Sequence, residues 1–395
     1  MPWEAMSKLD LRLEFVVEAG RDGANVRLLC RRFNIAPKTA YKWMARFAAS
    51  GEAGLIDHSR RPGSSPSRTQ TATEDAVLAV RRQHPAWGGR KIARVLAREG
   101  LAAPAPSTIT TILRRHGLAV GDFGGGRPGW LRFEHPEPND LWQMDFKGHV
   151  GLGNGDRLNP LTVLDDHSRF SLVLAACADQ QTHTVQAHLT AAFRRYGLPR
   201  SLITDNGSPW GDGPGSPFTP LGVFLIDQGI RIAHSRPYHP QTMGKDERFH
   251  RSLKAEALSG PAFDDLASAA RALERWRHVY NHERPHEALG YAVPADRYTF
   301  SRREFCEQPV PFEPAPGDIM RPVQTNGRVY LNARHKRLPN AFKGRIIALR
   351  PTNRDGVYEA YYRHQKIAVL DFTDENRDAQ PVTYVSEQVL PISPV

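Results

Sequence analysis

The sequence predicts a multidomain protein with helical units in front, a central α/β core with a mixed sheet flanked by helices, and a small C-terminal β-barrel. A chain of 395 residues is too long for one ordinary domain. Helical hydrophobic periods fill the first third, whereas strand patterns dominate the middle and the end. The predicted domains span 1–56, 71–118, 140–300 and 321–395, with a basic linker at 57–70, a second linker at 119–139 and a Pro-rich linker at 301–320.

The charge of the chain favours a polyanionic partner. The formal net charge is +11 and the pI is about 9.7. Residues 1–139 contain 22 Lys and Arg against 13 Asp and Glu, whereas the remainder contains 31 against 29. This distribution indicates an N-terminal DNA-binding arm, although a solvated basic surface would look the same.

Features of membrane-bound or secreted proteins are absent from the sequence. No run of about 18 apolar residues occurs, and the first residues lack a basic start followed by an apolar stretch. The three cysteines, Cys30, Cys177 and Cys306, lie too far apart for a disulfide framework or a four-ligand zinc site. We therefore expect a cytoplasmic protein without a membrane partner.

The first domain has the pattern of a helix-turn-helix. Apolar residues share one helical face in two neighbouring segments: Val26, Leu29, Cys30 and Phe33, then Ala40, Trp43, Met44 and Phe47. Pro37 suits the first turn of the second helix, where its missing N–H is harmless. The outer face offers candidate DNA contacts: Lys38, Thr39, Tyr41 and Lys42. A plain helical hairpin is the alternative.

The second domain is predicted to contain three helices, at about 72–83, 89–99 and 107–116. Thr71 with Glu74 has the spacing of a capping box, and Ser107 is a candidate N-cap. The third helix should bury Ile109, Ile112, Leu113 and His116. Outward-facing basic residues are Arg90, Lys91, Arg94, Arg98, Arg114 and Arg115. With Arg60 and Arg61 of the linker, residues Arg90, Lys91, Arg114 and Arg115 are candidate DNA contacts, although a helical spacer fits the same pattern.

The central domain begins with strands and continues with alternating helices and strands. Strands are predicted at 141–150, 158–165, 170–176, 201–204 and 230–235. Helices are predicted at 182–196, 244–258 and 263–282, and one more begins at Pro220 with Thr219 as its cap. This order predicts a mixed sheet flanked by helices.

The last domain is predicted to be β-rich. Short strand-like runs occur at 328–331, 345–349, 357–362 and 366–372, which suggests a small barrel. Its basic residues Arg334, His335, Lys336 and Arg337 either touch DNA or form ordinary surface.

Three acids of the central domain are candidate metal ligands. Asp145 lies inside an apolar strand, where a buried carboxylate is costly, and Asp205 ends a second strand, where α/β sheets place ligands. Glu247 lies in the first turn of a helix and shares a polar face with His250, Arg251 and Lys254. Asp246 leans towards the apolar side, so we assign Glu247 rather than Asp246 to the trio.

Three carboxylates suit Mg²⁺, a hard ion that takes oxygen ligands, and Mn²⁺ as its substitute. Two such ions, about 3.5–4 Å apart, can hold a phosphodiester for in-line attack by water or a DNA 3′-OH. Each acid alone fits a structural role in a turn, a cap or a helix start.

Five sequence motifs resemble the bacterial insertion-sequence transposases with an integrase-type DDE core. They are WQMDFKG at 142–148, LDDHSRF at 164–170, TDNGSPW at 204–210, HPQTMGKDERFH at 239–250 and YNHERPHEALG at 280–290. Two departures stand out: Met243 replaces an Asn common in relatives, and 41 residues, more than usual, separate Asp205 from Glu247. Neither removes an acid.

The resemblance implies an RNase H-like core, with Asp145, Asp205 and Glu247 as the catalytic, metal-binding acids. It also implies two-metal cleavage and strand transfer on transposon ends and target DNA, by a homo-oligomer of two or more subunits in the bacterial nucleoid. No small-molecule cofactor is expected. The rival functions are a catalytically inactive DNA-binding regulator of a mobile element and a nuclease without strand transfer.

Other polar residues receive secondary assignments. Asp165 and Asp166 suit a turn better than a metal site. His278, His282 and His286 are spaced by four, but Pro285 interrupts the helix, so structural or DNA-backbone roles are expected rather than zinc binding. Candidate DNA contacts in the central domain are His239, Arg248, Arg251 and Lys254.

Overall fold

The computed structural model describes residues 7–58, 68–118, 134–211, 218–234, 244–308 and 312–373, together with the backbone of 380–381. The chain divides into two compact units, residues 1–68 and 69–395. No helix among the described residues combines the length and apolar character that crossing a membrane requires.

The first unit is a cluster of three helices: α1 (Lys8–Ala19), α2 (Val26–Arg32) and α3 (Pro37–Ser50), followed by a 3₁₀ turn at Gly51–Leu55. Asn34 adopts a left-handed backbone conformation (φ 51°) in the turn between α2 and α3. The core contains Phe15, Cys30, Trp43 and Leu55. The predicted apolar faces of both helices are confirmed.

The second unit begins with α4 (Thr71–Gln83), α5 (Gly89–Arg98) and α6 (Pro106–Arg115). Ile109, Ile112 and Leu113 are buried as predicted, but His116 is exposed. The predicted Ser107 cap is wrong, because α6 already begins at Pro106.

The predicted capping box at Thr71 is also wrong. Helix α4 has Gln70 at its N-cap position, and its cap makes no side-chain hydrogen bond. The Glu74 carboxylate is buried and pairs with Arg115 of α6 instead. A buried carboxylate gains more from a cation than from one exposed backbone N–H, which explains the difference.

The central sheet contains six strands: β1 (Leu141–Phe146), β2 (Val150–Gly151), β3 (Arg157–Asp165), β4 (Ser171–Cys177), β5 (Ser201–Thr204) and β6 (Arg231–His234). The order is β2-β3-β1-β5-β6, with β4 also paired to β3. Strand β1 runs antiparallel to β3 and parallel to β5, and β5 runs parallel to β6. The predicted mixed sheet is confirmed.

Helices cover both faces of this sheet. They are α7 (Thr182–Tyr196), α8 (Pro220–Asp227), α9 (Gly244–Leu253), which continues as a π-helical turn at Lys254–Leu258, and α10 (Leu266–His282). Thr219 caps α8 through the Gly222 N–H, as predicted. Alternation along β1 places Trp142 and Met144 in the core with α7 and α8. The opposite face of the sheet packs against α9 and α10.

The C-terminal region forms two separate sheets. Its strands are β7 (Ile319–Pro322), β8 (Arg328–Leu331), β9 (Arg334–Arg337), β10 (Ile346–Pro351), β11 (Val357–Tyr362), β12 (Gln365–Asp371) and β13 (Gln380–Pro381). One sheet has the order β13-β12-β11-β10-β7, and β8 pairs with β9. The pairings of the described strands do not close a barrel, so the barrel stays a prediction.

Candidate active site

Asp145 lies near the end of β1, the strand between β3 and β5. The Phe146 N–H donates to its carboxylate at 2.7 Å, and the Thr162 hydroxyl of β3 donates to its backbone carbonyl at 2.9 Å. Burial, and then the charge of Asp205, raise the pKa of Asp145 to about 7. The Phe146 N–H therefore holds the Asp145 carboxyl group where burial and a neighbouring negative charge disfavour its ionised form.

Asp205 follows β5 directly, and the strand register explains its position. Gln143 of β1 lies opposite Ile203 of the parallel strand β5. Asp145 and Asp205 each follow two residues later, so they come at the same level of the two neighbouring strands. The Asp205 side chain is exposed, and its Oδ1 accepts the Gly207 N–H at 2.9 Å. The central parallel pair of strands thus presents two carboxylates at one edge of the sheet.

Glu247 lies exposed in the first turn of α9. Its charge also raises the pKa of Asp145, which indicates that the two carboxylates are near one another. The structure therefore brings Asp145, Asp205 and Glu247 within mutual electrostatic range. Their assignment as the catalytic acids stays a prediction.

The oxygen donors of the three acids are of the kind that a hard divalent ion takes, but their ligand atoms do not all lie within 4.8 Å of one another in the described structure. All of their donor atoms are oxygens, and Asp145 experiences the like charges of both other acids. A cation would relieve this repulsion, and oxygen donors are those that Mg²⁺ prefers.

Sequence reasoning missed the closest cluster of metal-binding side chains. Among the described residues, the group of His, Cys, Asp and Glu side chains that could hold an ion is Asp145, Asp246 and His250, with one donor atom of each within 4.8 Å of the others. The sequence correctly predicted that Asp246 leans inward, but its placement of His250 on the polar face of Glu247 is wrong, because His250 is buried beside Asp246. The spacing of four between Asp246 and His250 was the signal that both share the inward face.

The charge states in this cluster follow from burial. The pKa of Asp246 is raised well above its ordinary value by burial and then by the charge of Asp145. The pKa of His250 is lowered to about 3 by burial and then by the charge of Lys147. At neutral pH His250 is therefore a neutral imidazole.

A second buried network connects the start of α9 to β1. Asp166 is fully buried, accepts a hydrogen bond from the Gln143 amide at 2.8 Å and pairs with Lys245 at 2.5 Å. The Asp246 N–H donates to the other end of the Gln143 side chain at 3.3 Å. Asp166 thus anchors the helix that carries Glu247, a role beyond the predicted turn.

Asp165 has the predicted turn role. Its carboxylate accepts hydrogen bonds from the Ser168 N–H at 2.8 Å and from the Asn139 N–H at 2.7 Å. These bonds close the turn between β3 and β4.

Known protein families match most of the chain in consecutive segments. Residues 135–240 and 228–294 each match an Integrase core domain. Residues 11–63 match a Helix-turn-helix domain, and residues 39–113 match a Homeodomain-like domain. Residues 318–378 match the IS481 family transposase, C-terminal domain.

Insertion-element proteins are among the relatives. An uncharacterized 31.7 kDa protein of insertion element IS407 from Burkholderia multivorans is 27% identical over 61% of this chain and 87% of its own length. The transposase InsD of insertion element IS2 from Escherichia coli is 28% identical over 60% of this chain and 83% of its own length. The chain is thus similar to insertion-element transposases and contains segments that match an integrase core. It is also similar to the catalytic core domain of HTLV-2 integrase in complex with magnesium, with a TM-score of 0.32 and 16% identity, covering 42% of this chain and 99% of that one.

Several predicted DNA contacts are exposed. In the first unit Lys38, Tyr41 and Lys42 are exposed and Thr39 is half-buried. In the second unit the exposed candidates are Arg114, Arg248, Arg251 and Lys254. Arg60, Arg61, His239 and the unusual Met243 lie outside the described residues. The DNA-binding role of all these residues stays a prediction.

Three other candidate contacts are paired with acids of the same chain. Arg90 pairs with Glu287 at 2.8 Å, and Arg115 pairs with Glu74. The expectation that Lys91 faces outward is wrong, because its half-buried ammonium lies 3.8 Å from the buried Glu256 carboxylate. Burial and the charge of Arg284 lower the pKa of Lys91 to about 8.

The three histidines near the end of α10 do not form a metal site among the described residues. The rings of His278 and His282 lie 4.7 Å apart, whereas His286 is buried edge-on against Tyr280. This arrangement agrees with the structural roles that the break at Pro285 predicts.

Proposed function

We propose that the chain is an active transposase that binds transposon ends and catalyses Mg²⁺-dependent DNA strand cleavage and strand transfer. The observation that carries the proposal is the convergence of the Asp145, Asp205 and Glu247 charges at the end of β1 in an integrase core. Integrase-type cores depend on divalent metal ions, which agrees with this all-oxygen donor set.

The three acids have complementary parts in this proposal. Asp145 interacts with the charges of both other acids, so Asp145, Asp205 and Glu247 would together hold the divalent ions. Bound Mg²⁺ or Mn²⁺ would supply activation of the attacking hydroxyl and stabilisation of the leaving oxygen. The proton held by Asp145 must leave before an ion binds, so metal affinity should rise as the pH increases through about 7.

DNA would be held by the helical units and by the outer face of α9. Lys38, Tyr41 and Lys42 extend from α3 of the helix-turn-helix, the element that enters the major groove in such domains. Arg248 and Arg251 follow Glu247 on α9, where they can hold the backbone phosphates of the strand at the acids. Joining of two transposon ends favours work as a homo-oligomer of two or more subunits.

The test incubates the purified full chain with candidate transposon-end DNA and Mg²⁺, and maps the products at nucleotide resolution. We expect nicked and joined products from the wild type. Asp145→Asn, Asp205→Asn and Glu247→Gln should each abolish cleavage while DNA binding survives, because each removes an ionic metal ligand but no DNA contact. Asp156→Asn, a change at an exposed turn, is the matched control.

Each alternative outcome has a distinct meaning. Full activity in any of the three variants contradicts the assignment of that acid. End binding without Mg²⁺-dependent cleavage by the wild type identifies a DNA-binding regulator. Nicked product without joined product identifies a nuclease that lacks strand transfer.

A further inference from the structure

The carboxyl of Asp246 is buried behind the proposed catalytic acids. It lies on the inward face of α9, with 1% of its surface exposed. The Thr162 hydroxyl lies 3.2 Å from its Oδ1, and the His250 Nε2 atom lies 3.2 Å from its Oδ2. Burying a carboxyl group is costly unless it is hydrogen-bonded, paired with a cation or bound to a metal ion.

His250 connects Asp246 to Asp145. Its Nε2 atom lies 2.9 Å from the Thr162 hydroxyl, and its Nδ1 atom lies 3.9 Å from Oδ2 of Asp145. The second distance is too long for a hydrogen bond. One imidazole nitrogen binds one ion, and a single ring nitrogen of His250 lies within 4.8 Å of one oxygen of each carboxylate, which is the separation expected of ligands around one ion.

We propose that Asp145, Asp246 and His250 form a separate divalent-metal site on the inner side of the proposed catalytic acids. One donor atom of each residue lies within 4.8 Å of the others, which lets the three surround one ion. Two carboxylate oxygens with one imidazole nitrogen suit borderline ions such as Mn²⁺, Co²⁺ or Zn²⁺ better than Mg²⁺. The site is not part of the proposed Asp145–Asp205–Glu247 trio, because two of its ligands are different.

The inner site is accessible and is linked to the outer acids. Asp145 is its only ligand with substantial exposure, at 32% of its side chain, so an ion would enter past that carboxylate. Because Asp145 also belongs to the outer trio, an ion at the inner site changes the metal affinity of the outer acids, and the reverse holds by linkage.

The test is pulsed electron paramagnetic resonance of Mn²⁺ added to the full chain without DNA. We expect a ¹⁴N coupling from a directly bound imidazole, since the outer trio alone has only oxygen donors. Histidine-selective ¹⁵N labelling of the wild type should replace the ¹⁴N signal, and this measurement needs no variant. His250→Gln should remove the coupling, and Asp246→Asn should weaken Mn²⁺ binding at least about tenfold.

Two matched controls separate this proposal from the proposed function. His278→Gln removes an exposed histidine and should leave the coupling intact. Glu247→Gln should also retain it, whatever its effect on cleavage. Absence of Mn²⁺ binding, Mn²⁺ bound without nitrogen coupling, or coupling that persists in His250→Gln would each overturn the inner site.

Discussion

At the residue scale, Asp145 combines burial with like-charged neighbours. Its side chain is held by the Phe146 N–H, so it cannot move away from Asp205 without losing that bond. The raised pKa of Asp145 therefore follows from the position in which the end of β1 holds its carboxyl group. The same repulsion between carboxylates favours binding of a divalent ion at Asp145, because the ion attracts each of them.

The raised pKa of Asp145 predicts a pH-dependent stability in the absence of metal. The folded state holds this proton up to about pH 7, whereas the ordinary pKa is 3.8, so between these values the folded state binds more protons. Its contribution to stability is complete below about pH 4 and is lost as the pH rises to about 7. Thermal melts in chelator should therefore show a smaller decline over this window in Asp145→Asn than in the wild type. An identical pH profile in the exposed-turn control Asp156→Asn and in Asp145→Asn would contradict this.

At the element scale, the position of α9 depends on side chains from two strands and one turn. Gln143 of β1, Thr162 of β3 and Asp166 of the turn after β3 all contact the first residues of α9. These contacts fix the helix that carries Glu247 against the strand that carries Asp145. The distance between two of the proposed catalytic acids is therefore set by buried polar contacts rather than by a loop.

Asp166→Asn should destabilise the protein by roughly 3 kcal/mol, because a neutral amide replaces the carboxylate that pairs with the largely buried Lys245 ammonium. Denaturant unfolding of the second unit measures this change. Glu307→Gln breaks the exposed pair with Arg194 and should change stability little, which makes it the matched control. Equal changes in the free energy of unfolding for the two substitutions would show that the buried Asp166–Lys245 pair stabilises the protein no more than an exposed pair does.

At the scale of the whole molecule, the excess of positive charge lies in the N-terminal third of the sequence, whereas the three proposed catalytic acids lie in the central core. Under the proposed function, the front of the chain would retain DNA and the middle would carry out the chemistry. Binding of DNA should therefore be strongly dependent on salt, since phosphate contacts release counterions.

Lys38→Ala and Lys42→Ala should each weaken DNA binding and reduce the slope of log affinity against log salt by about 1. The physical reason is the loss of one phosphate contact from the exposed face of α3. Filter binding or fluorescence anisotropy over a salt series measures both quantities. Arg21→Ala, an exposed cation just after α1, should leave the slope unchanged, and an equal reduction there would argue for a diffuse charge effect.

Local patterns predicted much of the fold, and contacts between distant residues explain the failures. Helix α7 and strand β5 occur where their hydrophobic periods place them, because neighbouring residues determine those periods. The Thr71 capping box failed because Glu74 pairs with Arg115 on another helix. The positions of Asp145, Asp205 and Glu247 followed from motifs, but the burial of Lys245 against Asp166 depends on tertiary packing that no local pattern records.

The most direct test of the account locates the ions. A crystal of the protein with transposon-end DNA and Mn²⁺ should show anomalous density between Asp145 and Asp205 or Glu247, beside a phosphate of the bound strand. Density at these acids would support shared metal binding as the basis of catalysis. Acids that bind no common ion, with their carboxylates more than about 10 Å apart beside bound DNA, would contradict the two-metal mechanism.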